Sequence, residues 1–128
     1  MTQASVDRRG LEAAVQLFVN AFVIEDKRAQ MRKRLLLGER RAETLGALPR
    51  WLAGRTAPLA GVDRSPDGLR KRFGELVGVH VDETTAVRTT IAGALERGRG
   101  KPTMFIADSG NVALVTVDDG SAILCSRF

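Results

Sequence analysis

Leu11, Val15, Phe18 and Phe22 recur at the i, i+4, i+7, i+11 spacing of one helix face, with Glu12, Gln16 and Asn20 elsewhere on the cylinder. The spacing predicts an amphipathic helix over about residues 8–23. The stripe loses register at Ile24-Glu25-Asp26, and a second helix follows in which Met31 and Leu35 align. Glu25 and Asp26 suit its positively polarised first turn, and Gly38 is placed to stop it. Residues 39–52 carry Leu45, Leu48 and Leu52 with Gly46 and Pro49 between them, which reads as a third helix or as two short turns. Residues 53–64 hold Gly54, Pro58 and Gly61 without a sustained period and read as a loop. Ser65-Pro66 then opens a fourth helix with Leu69, Phe73, Leu76 and Val77 on one face and Gly78 at its end.

Val79-His80-Val81 alternates and is β-branched, so it predicts a short strand. Asp82 suits the N-cap of a helix over residues 83–97, whose stripe is Val87, Ile91, Ala94 and Leu95 and whose stop is Gly98. Beyond Pro102 lie three β-rich runs, 103–107, 112–117 and 122–127, separated by Asp108-Ser109-Gly110-Asn111 and Asp118-Asp119-Gly120-Ser121. Both connectors carry hairpin turn chemistry. The middle run, Val112-Ala113-Leu114-Val115-Thr116-Val117, is apolar on both faces, so both faces need a cover. The helices supply one; a second subunit or a partner protein is expected to supply the other. The fold class is therefore α+β, one domain over residues 1–128, with N-terminal helices packed on a C-terminal three- to four-stranded antiparallel meander.

Composition narrows the setting. With 44% apolar and 27% charged residues, the 128-residue chain has ordinary globular usage and enough length for one core. No apolar run approaches the roughly 20 residues of a membrane span, no cationic stretch followed by an apolar one opens the chain, and the lone Cys125 forms no internal disulfide. These features predict a cytoplasmic protein with no membrane association. The net charge of +5 is uneven: residues 1–101 hold 19 basic and 12 acidic side chains, or +7, against −2 for residues 102–128. A basic helical half makes an anionic partner plausible.

The candidate binding residues follow from that excess. Lys27, Arg28, Arg32, Lys33, Arg34, Arg40 and Arg41 offer enough cations to track several phosphates or an acidic protein surface. Only Arg28 and Arg32 share a face at i, i+4, so a solvated helix surface is an equal reading. Trp51, between Arg50 and Arg55, is the one aromatic platform near exposed arginines, and no zinc-finger, ribonucleoprotein or GxxG motif is present. A helix-turn-helix around Gly38 stays open as an alternative.

Catalytic chemistry has little to work with, because the chain holds one histidine and one cysteine. Alternation puts His80 and Asp82 on one face of the strand end, an acid/base or metal-binding pair if a further ligand joins them. The plainer reading is a strand-end histidine beside a helix-capping aspartate. Cys125, flanked by Leu124 and Ser126, reads as a small buried hydrophobe, and Asp118-Asp119 before Gly120 as a turn. No metal set, phosphate loop or cofactor motif is implied.

Phe18-Val19, Phe22-Val23, the Lys27-Arg28 pair and the Leu35-Leu36-Leu37 run resemble the opening of an uncharacterised bacterial family of small α+β proteins, whose members close with a strand-helix-strand region similar to residues 79–128. The resemblance spans most of the chain and brings no catalytic residue to transfer. Ala29-Gln30 depart from it where relatives carry further charge after the Lys-Arg pair. Taken together, the residues predict a non-enzymatic bacterial accessory or interaction protein that self-associates or binds a protein partner. The alternatives are a nucleic-acid-binding regulator using the basic helices and a small hydrolase or metal-dependent enzyme around His80 and Asp82.

Overall fold

The computed structural model describes residues 4–58, 71 and 75–127. The chain runs β1 (Ala4–Ser5), α1 (Arg8–Phe22), α2 (Arg28–Leu36), α3 (Gly38–Ala47), β2 (Arg55–Pro58), β3 (Val77–Val81), β4 (Ala86–Thr90), α4 (Ile91–Arg97), β5 (Thr103–Ala107), β6 (Val112–Thr116) and β7 (Ala122–Ser126). Among the described residues it is an α+β fold in which the strands form one antiparallel sheet, ordered β1-β4-β3-β5-β6-β7-β2.

The predicted meander is present with β5, β6 and β7 in sequential pairing, and its turns use Gly110 at φ 74° and Gly120 at φ 88°, the left-handed conformation that glycine adopts without strain. Its extent differs from the expectation of three to four strands. Five strands, β3 to β7, come from the C-terminal half, and β1 and β2 extend the sheet to seven. Two sequence readings hid the extra strands. The 53–64 loop contains β2, whose backbone pairs with β7 from Arg55↔Ser126 to Pro58↔Ile123, and proline is tolerated there because β2 is an edge. The 83–97 helix is a strand followed by a shorter helix. Asp82 accepts from the Thr84 and Thr85 amides at 2.9 and 2.7 Å, which closes a turn and not a helix start, and the Thr90 hydroxyl accepts from Gly93 N at 3.1 Å to cap α4 instead. Of the helix expected from Ser65-Pro66, residues 65–70 and 72–74 lie outside the described residues, and its expected end is corrected: Val77 and Gly78 belong to β3, paired with Thr90 and Thr89 of β4.

On the N-terminal side, α1 matches its predicted span, capped by Asp7, whose carboxylate accepts from Gly10 N at 2.8 Å. The stop after α2 falls on Leu37, at extended φ −90° and ψ 117°, while Gly38 opens α3. The third helical stretch is α3 followed by a 3-10 turn at Leu48–Trp51, with Pro49 at its start where a missing donor costs nothing. The carbonyls at the end of α2 that lack a partner within the helix are met by arginines from outside it. Arg8 donates to Leu36 O at 3.1 Å and Arg41 Nε to Leu35 O at 2.8 Å.

Both faces of the sheet are covered by this chain. Alternation along β5 and β6 sends Met104, Ile106, Ala113 and Val115 against Phe18, Phe22, Leu35 and Leu45 of α1–α3. It sends Phe105, Ala107, Val112 and Leu114 against Ile91, Ala94 and Leu95 of α4. The second cover that the apolar middle strand demands is thus α4, joined by half-buried Leu76, and the strand pattern ceases to require a second subunit.

Gly78 sets how closely β3 lies to β5. A Cβ there would overlap the carbonyl oxygen of Ile106 and crowd the Ala107 Cα at 2.7 Å, so the two backbones must part to admit any side chain. Gly78→Ala is expected to cost about 3 kcal/mol, at the upper end of overpacking penalties, measured as a loss in the urea unfolding midpoint at unchanged m-value.

Candidate functional site

A groove of about 430 Å³ lies between α1 and the β1–β4 end of the sheet, reaching across β3 to the end of β5. Its position follows from the local sequence. Small residues at Gly10, Ala13 and Ala14 thin the α1 face that looks toward this edge, and a side chain at Gly10 would collide with Val6 as the chain enters the helix. The floor is apolar, made by Ala14, Val79 and Ile106, and Leu17 forms an exposed lip at 38% accessibility. The rim is polar. Ser5 and Asp7 stand at one side, and Arg88 of β4 forms an ion pair with Asp108 of the β5–β6 turn at the other. Both partners of that pair are half exposed, so it orders the rim more than it stabilises the fold. Such a groove can bury two or three aliphatic side chains and receive polar groups at its edge. The sequence signal for it was the run of small residues on one side of α1, which carries no chemistry by itself.

His80 and Asp82, placed together by the alternation argument, do not form a reactive pair. His80 is 1% exposed in the α4 layer, with neither ring nitrogen hydrogen-bonded. Burial, opposed by Asp82 and assisted by Arg97 and Lys101, pushes its pKa down from 6.5 to about 4, so the ring is neutral at physiological pH. The Asp82 carboxylate is committed to the turn, accepting from Thr84 N, Thr85 N and the Thr85 hydroxyl. Burial would raise its pKa, but these bonds prevail and hold it below the usual carboxylate range. Among the described residues no three His, Cys, Asp or Glu side chains converge to hold a metal ion. Asp119 closes its turn by accepting from Ser121 N at 2.8 Å.

The basic helical residues separate into individual tasks. Lys27 lies over the Trp51 ring with its ammonium 4.7 Å from the centroid, so cation and aromatic platform satisfy each other. Arg28 donates to Val23 O at 3.0 Å at the end of α1, and Arg32 to Gln16 at 2.8 Å, tying α2 to α1. Arg40 pairs with Glu43 along α3. Arg41 is 7% exposed, and its guanidinium belongs to the end of α2 and not to the surface. Lys33 projects from the exposed side of α2, and half-buried Arg34 sits beside it. Of the seven cations, Arg41 is thus buried and Arg28 and Arg32 are tied to α1, and which of them would be fastened inward was not readable from a count of charges.

Cys125 is fully buried opposite Ala113 and Thr56, and burial pushes its thiol up to about 12. No helix among the described residues is long and apolar enough to cross a membrane. No family model, curated protein or solved structure matches this chain.

Two outcomes follow. Arg41→Ala should cost about 1–3 kcal/mol by leaving the Leu35 carbonyl and its pocket unfilled, whereas Lys33→Ala should stay within about 0.5 kcal/mol, both read from chemical denaturation. A disulfide reagent should leave Cys125 unmodified in the folded protein at pH 8 and label it fully in urea; rapid labelling of the folded form would contradict the burial.

Proposed function

We propose that this chain is a non-enzymatic interaction protein that holds a segment of a protein partner in the groove between α1 and the β1–β4 edge. The observation that carries the reading is the open, apolar-floored groove of about 430 Å³ beside an ordered charged rim. The partner segment it suits places aliphatic side chains against Ala14, Val79 and Ile106 and polar groups near Ser5 and Asp7. The chain's only histidine and only cysteine lend support from the other direction, because both are buried with their protonation held away from acid/base or thiolate use. The expectation of a self-associating protein no longer draws on an uncovered sheet face, since α4 lies there; self-association through the groove is one form that the partner interaction can take.

Ala13 is exposed on α1 and lines the groove without joining the core, so Ala13→Trp fills the site and leaves the fold's packing alone. The wild type should capture a partner, or dimerise by light scattering, and Ala13→Trp should lose that interaction by tenfold or more in Kd, about 1.4 kcal/mol. Capture from untreated and nuclease-treated lysate of the source cell should be the same. Equal binding by wild type and Ala13→Trp would sink the groove reading; capture abolished by nuclease, with a steep salt dependence, would favour nucleic-acid binding by the basic helices instead.

A further inference from the structure

His80 lies on the opposite side of the sheet from the groove, at the middle of the α4 layer. It pairs across the sheet with Val87 of β4 and Phe105 of β5, is 1% exposed, and has no hydrogen-bond partner at Nδ1 or Nε2. A neutral imidazole in that place forgoes one donor and one acceptor. An imidazolium would bring a charge and two donors into the same place with nothing to receive them. Among the described residues, the charged groups that act on it are Asp82 from the β3–β4 turn, Arg97 from the last turn of α4 and Lys101 from the turn before β5; β4 and β5 contribute apolar Val87 and Phe105. Two of the three are cations, and the one carboxylate already accepts from Thr84 and Thr85.

The element above His80 is also the shortest α-helix among the described residues. α4 has seven residues, Ile91–Arg97, and rests on the sheet through Ile91, Ala94 and Leu95, while the opposite layer is built from three helices joined by the Arg8, Arg32 and Arg41 bonds. Opening one two-turn helix exposes less buried apolar surface than opening a layer of three helices.

We propose that His80 is an acid trigger for this layer: uptake of one proton on its imidazole releases α4 from the sheet and uncovers Phe105, Leu114 and Leu124, while the α1–α3 layer stays folded. The proposal is independent of what the groove binds. In the opened form the imidazole reaches water and takes its proton near the ordinary value of 6.5, whereas the closed form resists it down to about 4. The opened form therefore binds the more protons between those values. The closed form keeps its full advantage above about pH 6.5 and loses it progressively as pH falls toward 4.

One histidine and one tryptophan make the test direct, since Trp51 packs against the α1–α3 core and His80 belongs to the α4 layer. Amide-exchange protection of α4, the imidazole NMR signal and Trp51 fluorescence are followed together from about pH 7 to pH 4. Expected is a loss of α4 protection that tracks imidazole protonation, with Trp51 emission constant and reversal on neutralisation. His80→Leu should keep α4 protected to lower pH, and Lys101→Ala, a change at an exposed side chain, should move the opening to lower pH by removing one repelling cation. The proposal fails if α4 protection is constant while the imidazole titrates, or if α4 and Trp51 report one shared midpoint. It fails equally if His80→Leu opens at the wild-type pH. Should His80→Leu not fold, an unchanged opening midpoint in Lys101→Ala overturns it.

Discussion

Every residue of β5 and β6 is buried, and because side chains alternate across a strand, this requires apolar cover on both faces of the sheet at once. The rest of the architecture answers that requirement. α1–α3 pack on Met104, Ile106, Ala113 and Val115, and α4 packs on Phe105 and Leu114. The two layers are unequal because their sequence resources are unequal. The first 50 residues supply a phenylalanine- and leucine-rich face over three helices, whereas α4 is one helix of about two turns held between β4 and the turn at Gly98. Gly98 lies close enough to Thr103 and Thr116 that a Cβ would stand 2.6 Å from both hydroxyls, so the helix ends where the Thr103–Thr116 hydrogen bond, 2.5 Å long, closes the layer.

How much of this was legible in the sequence depends on whether the signal was local. The meander was readable nearly to the residue, because its turns are made by residues with one conformational purpose, Gly110 and Gly120, and its strands by β-branched runs between them. α1 was readable from its 3.6-residue period. The stretch from Asp82 to Arg97 was misread for a physical reason: Val87, Ile91, Ala94 and Leu95 satisfy a helix stripe by coincidence, since Val87 faces inward from a strand and the other three from a helix, and both point into the same α4 layer. β2 was invisible because Arg55-Thr56-Ala57-Pro58 shows no β-branched alternation and ends on a proline, which argues against a strand anywhere but at an edge. The site fared worse than the fold. A groove arises from the relative placement of α1, β1, β3, β4 and β5, segments whose proximity no spacing along the chain encodes.

The arginines show the same limit from another side. A surplus of cations on the helical half suggested a common surface, but Arg8, Arg28 and Arg41 spend their guanidiniums on main-chain carbonyls at helix ends, and Arg32 on a neighbouring helix. Arginine suits this use because its donors are fixed in a planar fork on a long stem, able to reach a carbonyl one helix away while remaining charged. Burial lowers the pKa of Arg41, with Arg8 nearby as a second cause, yet its donation to Leu35 O keeps it where a lysine of similar length would offer fewer donors at the required angle. Part of the basic composition of this chain therefore serves to join its short helices, and charge alone is a weak guide to its partner.

The two features singled out for function and regulation lie on opposite faces of one sheet, and that separation decides how they interact. The groove is built on Ala14, Val79 and Ile106, which belong to the α1 face, while His80 lies between Val79 and Val81 and projects to the other side. A strand that carries both can transmit a change in one layer to the other only by shifting as a rigid body, and the close approach of Gly78 to Ile106 and Ala107 holds β3 against β5 at its start. With β3 fixed there and paired on its other side to β4, loss of α4 leaves the groove floor in place. Occupancy of the groove and the protonation of His80 are then separate equilibria sharing one strand, each able to be perturbed without displacing the residues that define the other.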